Sequence, residues 1–296
     1  MAILTLTRQA GSFGDEIGML IARRLGYTFH DKHEIERRII AKGLPKEEFL
    51  KYDERKPRFL DRFAKNRDKY LNYLSAVILE IAQKGNCVIM GRGAFIFLKD
   101  MPNHLTMRFV SPMEERVRHI KELKQISDDS VAQKLLEGSD RRKLAFYKSC
   151  FKYDLNDHSL IHATVNTAMV KPDMVAEMIC AGITNNITGE VEEEAKKRVC
   201  ELILAQEMAN KLIFEHSLHI DELWVKVRGN TITLNGVTSF HATRLSSAPR
   251  QSLKASIRAI RLSLILSACR TAVFLRLELG SESQDCLNGL LSLFFA

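Results

Sequence analysis

The stretch that most constrains this chain is Ile3 to Leu25, ILTLTRQAGSFGDEIGMLIARRL. Ile3, Leu4 and Leu6 make a short apolar strand that ends at Thr7, and Gly11 and Gly14 punctuate a turn. From there Ile17, Leu20, Ile21 and Leu25 recur at helical spacing until Gly26 stops the helix. A strand that feeds a helix through a Gly/Ser turn aims free backbone N–H groups and a positive helix end at one spot, which is a phosphate site. A full phosphate loop reads G-x-x-x-x-G-K-[ST]. Here Asp15 and Glu16 follow Gly14, so the lysine and the magnesium-binding hydroxyl are missing. Taken alone, the turn reads equally well as an ordinary strand-to-helix connection.

The rest of the first two-thirds repeats the alternation. Strands are predicted at Tyr27–Lys32, Cys87–Met90, Leu105–Val110 and Ile161–Thr167. Between them lie helices over His33–Lys42, Tyr70–Gln83, a stretch opened by Ser111 as N-cap and running to Ile120, Asp128–Leu136 and Pro172–Ala181. Lys46–Ala64 is highly charged and broken at Pro57, and Ser139–Ser149 is strongly basic. Such alternation implies an α/β fold with a parallel sheet covered on both faces. Glu190–Lys211 reads as one helix, with Glu192/Lys196, Glu193/Lys197 and Glu194/Arg198 four apart in the favourable order. Leu223–Val227 and Thr231–Val237 then flank Arg228-Gly229-Asn230 as a β-hairpin.

At 296 residues the chain has room for one large or two smaller domains. Met1-Ala2 runs straight into the first strand, and the most apolar run, Leu262–Leu277, is broken by Arg270 and Arg276. The expectation is a cytoplasmic protein with neither leader nor membrane span. Six cysteines without close pairing or metal-type spacing predict buried thiols and no dedicated metal site. The net charge of +8 suits phosphorylated substrates as well as nucleic acid or an anionic surface. Nucleic-acid binding is not expected, because no basic motif is interleaved with aromatics. From Phe240 the chain turns Ser-, Leu- and Arg-rich, with no acidic residue between Glu222 and Glu278. It reads either as a tail foreign to the domain or as a basic amphipathic helix over Leu253–Leu266.

Five features fall at strand ends or in the basic segment: the Gly11–Gly14 turn, Asp31, Arg92, Arg141/Arg142 and Asn166. Ligands of open α/β sheets bind beyond the carboxyl ends of the strands. The run V-I-M-G-R-G-A-F-I-F, the strand L-T-M-R-F-V and the helix start S-P-M-E-E-R resemble the core of cytidylate kinases. The start, T-R-Q-A-G-S-F-G-D-E-I-G followed by L-G-Y-T-F-H-D-K, resembles the divergent cytidylate kinase-like family, as do S-D-R-R-K-L-A-F-Y and V-N-T. The resemblance covers about residues 1–185 and implies a three-layer P-loop NTPase-type sheet with a helical lid.

It further implies transfer of the ATP γ-phosphate, with Mg2+, to a nucleoside monophosphate or a related small acceptor. Arg8, Gly11, Ser12 and Gly14 would line the ATP phosphates. Arg92 would grip the acceptor phosphate bidentately, and Arg141 and Arg142 would close over the transferring group. Asp31 would contact the acceptor or a metal-bound water, or else cap the following helix. The family's G-R-D aspartate is Gly93 here, which leaves the acceptor base open. The alternative is a nucleotide-sensing regulator that keeps the cradle without the chemistry. Residues 186–240 resemble part of a BON domain, a small αβ module, which implies weak membrane or protein association and carries the sensor's output. Residues 241–296 are the atypical tail.

Overall fold

The computed structural model describes residues 1–49, 64–212, 220–229, 231–238 and 271–278. The chain divides into two compact units, Met1–Val199 and Cys200–Ala296. The elements of the first are β1 (Ile3–Arg8), α1 (Gly14–Leu25), β2 (Thr28–His30), α2 (Lys32–Ala41), α3 (Lys46–Phe49), α4 (Ala64–Lys84), β3 (Cys87–Met90), α5 (Ala94–Leu98), β4 (His104–Val110), α6 (Met113–Lys124), α7 (Asp129–Phe151), β5 (Ala163–Asn166) and α8 (Pro172–Asn186). Helix α9 (Gly189–Asn210) spans the division, and β6 (Ile220–Arg228), β7 (Thr231–Thr238) and β8 (Thr271–Glu278) follow it.

The first unit is an α/β fold around a five-stranded sheet ordered β2-β3-β1-β4-β5, every pair parallel. All five carboxyl ends therefore open on one edge. Strands β1 and β3 are buried on both faces, as a doubly covered sheet demands. Leu4 and Leu6 of β1 join Val88, Met90, Met107 and Phe109 in a core closed by Ile17 and Ile21 of α1 and by Val175 and Ile179 of α8. On the other side α4 contributes Tyr70, Leu74, Val77, Ile78 and Ile81, each wholly buried.

Helix α1 approaches the sheet closely because Gly18 faces it. A Cβ there would lie 2.8 Å from the Phe29 ring and 2.9 Å from Leu6 Cδ1. Two effects oppose each other in Gly18→Ala: helix propensity favours Ala by about 1 kcal/mol, and overpacking a full core costs about 1–3 kcal/mol. The ring and the leucine are both locked in the core, so the clash wins. The denaturant midpoint should fall, and a raised midpoint would contradict the packing.

His104 sits at the opposite edge, where β4 begins. Its Nε2 lies 2.7 Å from Thr5 Oγ1 and 3.1 Å from Thr106 Oγ1, and its ring stands edge-on to His162 at 6.0 Å. Burial, with His162 beside it, pulls its pKa down to about 3. The unfolded chain takes up this proton near pH 6.5, whereas the fold refuses it until about pH 3, so stability falls as pH falls across that window. This group alone should cost about 2 kcal/mol between pH 7 and pH 5. Unfolding free energies of wild type and His104→Gln across that range check it, and equal slopes would exclude it.

Three local expectations are corrected. Asp128–Leu136 and the basic segment form one helix, α7, of 23 residues capped by Asp128, because no proline intervenes and Gly138 is tolerated within it. Pro112, not Ser111, occupies the N-cap of α6; no side chain caps that helix, and the Ser111 N–H instead donates to Gln9 Oε1 at 3.1 Å. In α9, Lys196 pairs with Glu193, three residues away, while Glu192 binds the amino terminus and Arg198 reaches Asp100. Among the described cysteines all are free: Cys87 and Cys150 are buried, Cys180 is half-buried and Cys200 is exposed.

In the second unit, β6 and β7 form the predicted antiparallel hairpin. Its Arg228 pairs with Glu201 of α9, whose carboxylate also accepts from the Gly229 N–H at 2.7 Å. The tail gives β7 a partner on its other side: Thr271–Glu278 pairs antiparallel along its whole length as β8. That satisfies a strand edge which would otherwise promote aggregation. The Pro57 break and the helix expected over Leu253–Leu266 lie outside the described residues.

Candidate active site

Beyond Arg8, β1 turns through Gln9–Phe13 into α1. Gly11 takes φ +77°, and a Cβ there would meet the Arg116 carbonyl at 3.0 Å and Leu136 at 3.1 Å. Phe13, the residue before the helix, is also left-handed at φ 57°, an unusual conformation for a non-glycine residue. Ser12 is buried, and its Oγ donates to the Gln9 and Phe109 carbonyls at 2.9 and 3.2 Å. Its hydroxyl thus shapes the loop. Gly14 begins α1, where a Cβ would strike Arg8 Cβ at 2.7 Å. No side chain caps this helix, so its first N–H groups and positive end face the loop mouth.

The two acidic residues that replace the usual lysine and hydroxyl are both engaged. Asp15 accepts from Arg8 through both carboxylate oxygens, at 2.9–3.2 Å. Glu16 pairs with His119 Nε2 at 3.1 Å, while His119 Nδ1 donates to the Gly11 carbonyl at 3.0 Å and the imidazole stacks on Phe13 with centroids 3.8 Å apart. Each acid at the helix start therefore has its own cationic or imidazole partner. Two carboxylates beside a phosphate would repel it, and these partners offset that repulsion.

Helix α7 runs beside the loop and grips it. Asp140 Oδ1 accepts from the Ala10 N–H at 3.0 Å. Its other oxygen takes Arg116 Nη1 at 2.5 Å, and Arg116 also donates to the Ala10 carbonyl at 3.2 Å. Three residues along, Lys143 Nζ donates to the Arg8 carbonyl at 2.8 Å. Arg142 is half-buried and Arg141 is exposed, and neither has a hydrogen-bond or ion-pair partner among the described residues.

At the end of β3, the neighbouring strand, lies Arg92. It is 1% exposed, which excludes a surface role. It too is left-handed, at φ 54°. Its guanidinium lies 5.3 Å from the Phe146 ring and 5.8 Å from the Phe49 ring and pairs with Glu36, which also has Lys32 and His33 within 3.7 Å. Burial lowers its pKa to about 10, so it stays charged at neutral pH. Among the described residues its Nε and Nη1 meet no acceptor. A buried arginine with idle donors and a left-handed backbone is costly to keep, and such costs collect at ligand sites.

The missing G-R-D aspartate also has a physical reason. Gly93 takes φ +69°, and a Cβ there would stand 2.6 Å from the Phe151 ring. Its N–H donates to the Tyr147 hydroxyl at 3.2 Å. Phe146 and Tyr147 are buried in the core.

The remaining candidates divide. Of the two expectations for Asp31, the cap is observed: its Oδ1 accepts from the Glu34 N–H at 2.7 Å. Asn166 closes a local turn on the Ala168 N–H at 3.0 Å, a strand-end role. The sequence reading missed Glu36, Arg116, His119, Asp140 and Lys143. Only the helical spacing of Asp140 and Lys143, which places both on one face, was there to be seen.

The family model of the "Cytidylate kinase-like family" matches residues 3–169. A Pyrococcus horikoshii protein named cytidylate kinase is 26% identical over 67% of this chain and 96% of its own length. One of the same name from Methanocaldococcus jannaschii is 30% identical over 36% of this chain and 61% of its own length. A solved Eubacterium ventriosum structure is 19% identical, covering 62% of this chain and 99% of its own, at a TM-score of 0.48. The match extends from the first strand through the loop, Arg92 and α7 to the end of β5, which is every element that builds the site: the chain belongs to the cytidylate kinase-like family.

Proposed function

We propose that the first unit is a phosphotransferase of P-loop type that moves the ATP γ-phosphate to a nucleoside monophosphate or a related small phosphorylated acceptor. The observation that carries this reading is the pairing of two anion sites at the carboxyl ends of adjacent strands. The uncapped start of α1 with its Gly11–Gly14 turn lies after β1, and Arg92 with its idle donors lies after β3. Phosphoryl transfer asks little covalent work of a protein; it needs two phosphates aligned and the developing charge neutralised.

In this reading Arg8, Gly11, Ser12 and Gly14 form the ATP side. Ser12 acts through the loop shape that it fixes. Arg92 takes the acceptor phosphate, bidentate contact being what a planar guanidinium does best. Arg141 and Arg142, without partners among the described residues, are the cover that excludes water from the transferring group. Asp31 orients α2, which carries Glu36 to Arg92. Magnesium would arrive with ATP. It is held largely by phosphates and one or two carboxylates; Glu16, at the hydroxyl position of a standard loop, would be the carboxylate for it, exchanging its contact with His119.

A second reading draws on Asp15. An acid clamped by Arg8 where a lysine normally stands also suits a nucleotide sensor that binds without transfer. The domain bounds at 185 and 240 and a BON-like character for the C-terminal module remain proposals, since the family match ends at residue 169. Weak association with a membrane or a protein through that module has the same standing.

Equilibrium titration of the full chain with ATP and with each nucleoside monophosphate, alone and together, tests the two-site arrangement. One monophosphate should bind beside ATP, and Arg92→Met should abolish that second event while sparing the first. Competition between all monophosphates and ATP for a single site would refute it.

A further inference from the structure

We propose that Glu36 holds the place of the acceptor phosphate on Arg92 in the unliganded protein and yields it only to a phosphate dianion; this rests on the phosphotransferase reading above. The need for a placeholder follows from burial. The Arg92 side chain is wholly buried, and a charge taken out of water without a counterion is heavily penalised. Before an acceptor arrives the chain itself must supply an anion, and the carboxylate of Glu36, on α2, is the one that pairs with the guanidinium.

The pair is a partial fit. Glu36 meets the guanidinium at Nη2, while Nε and Nη1 have no acceptor among the described residues. A phosphate dianion brings two charges and engages two guanidinium nitrogens at once. It can therefore displace the carboxylate, whereas an uncharged nucleoside cannot. The displaced carboxylate also has somewhere to go. Lys32 Nζ and His33 Nδ1 lie 3.7 and 3.6 Å from it, at the helical spacing that puts all three side chains on one face. Side-chain exposure rises outward along this row, from 0% at Arg92 through 14% at Glu36 and 21% at Lys32 to 67% at His33. A rotation of the Glu36 side chain toward that rim clears Arg92 without moving α2, whose start Asp31 caps. Phe146 and Phe49, at 5.3 and 5.8 Å, hold the guanidinium in place meanwhile. Glu36 thus acts as a specificity-determining residue: it admits an acceptor by the charge of its phosphate.

The test is equilibrium binding of CMP, UMP, AMP and GMP, each beside its own nucleoside, to the full chain as wild type, Glu36→Gln and Glu36→Asp. The first variant removes the charge; the second keeps it but withdraws it by one methylene. Both should bind the preferred monophosphate about ten- to a hundredfold tighter than wild type, because a hydrogen bond to a charged group no longer competes with it. The nucleoside should bind no tighter. Without ligand, Glu36→Gln should melt below wild type and recover when the monophosphate supplies the missing anion. Should Glu36→Gln not fold, Glu36→Asp alone decides. Monophosphate affinity unchanged or weakened in both variants would overturn the proposal and make Glu36 a fixed counterion that orients Arg92. A gain shared equally by the nucleoside would overturn it in favour of a pocket that has merely opened. Monophosphates bound no better than nucleosides by any of the three proteins would sink the acceptor site, and with it the phosphotransferase reading itself.

Discussion

Arg92→Met should lower kcat/KM for the acceptor by about a thousandfold, the effect of losing two hydrogen bonds to a charged phosphate. It should barely weaken the fold. The buried guanidinium leaves Nε and Nη1 without acceptors among the described residues, a standing cost in the unliganded protein. Methionine fills similar volume between Phe49 and Phe146 and gains contact with both rings. Against that, Glu36 loses a partner, although Lys32 and His33 stay within 3.7 Å of it. The double variant Arg92→Met/Glu36→Gln removes both buried charges and should equal or exceed wild type, by up to about 3 kcal/mol, since buried ion pairs are often matched by neutral packing. Activity lost together with a gain in stability marks a residue kept for function. A sharp loss of stability in the double variant, with activity preserved, would make Arg92 a structural residue.

The second large effect is expected at Arg116, and here stability should fall. Arg116→Ala removes the donor shared by the Ala10 carbonyl and Asp140 and leaves a half-buried carboxylate with the Ala10 N–H as its remaining bond among those described. Breaking such a pair costs about 3 kcal/mol, or about 6–12 °C in Tm for a unit of this size. ATP affinity should drop as well, because α7 loses one of its fastenings to the loop. Adding Asp140→Ala removes the stranded charge and should return about 1–2 kcal/mol of the loss. Strict additivity of the two substitutions would show that they do not act as a unit. The two arginines differ in how far the protein satisfies them: Arg116 Nη1 has both the Ala10 carbonyl and Asp140, whereas Arg92 has Glu36 and leaves Nε and Nη1 without acceptors among the described residues.

The fold was legible because β1 and β3 are short, largely apolar runs followed by glycine-bearing turns, and because Ile17, Leu20, Ile21 and Leu25 repeat at helical spacing. Parallel order follows from that alternation. Boundaries were less legible. The apolar period of α1 starts at Ile17, but the helix starts at Gly14, since its first turn is polar and faces the loop. The basic segment read as separate from Asp128–Leu136 because its charges mask the core positions Phe146, Tyr147 and Cys150 that continue the same helix.

For the site, position along the chain was readable and partnership was not. Arg92 stands out between two glycines after an apolar strand. That Glu36, some fifty residues earlier, would hold it depends on how α2 packs, which no local pattern encodes. Lys143 was hidden for the same reason. A lysine in a basic run looks like a solvated face until the sheet order brings α7 to the end of β1. Asp31 shows the converse: an acid before a helix was readable as a cap from its neighbours alone.

The most direct measurement follows the phosphate itself. Full-length protein is incubated with γ-labelled ATP, magnesium and each nucleoside monophosphate, beside Arg92→Met. The account predicts label in one nucleoside diphosphate, with little released as inorganic phosphate, and none transferred by the variant. ATP bound but label never moved to any acceptor, or moved equally well without Arg92, would contradict it.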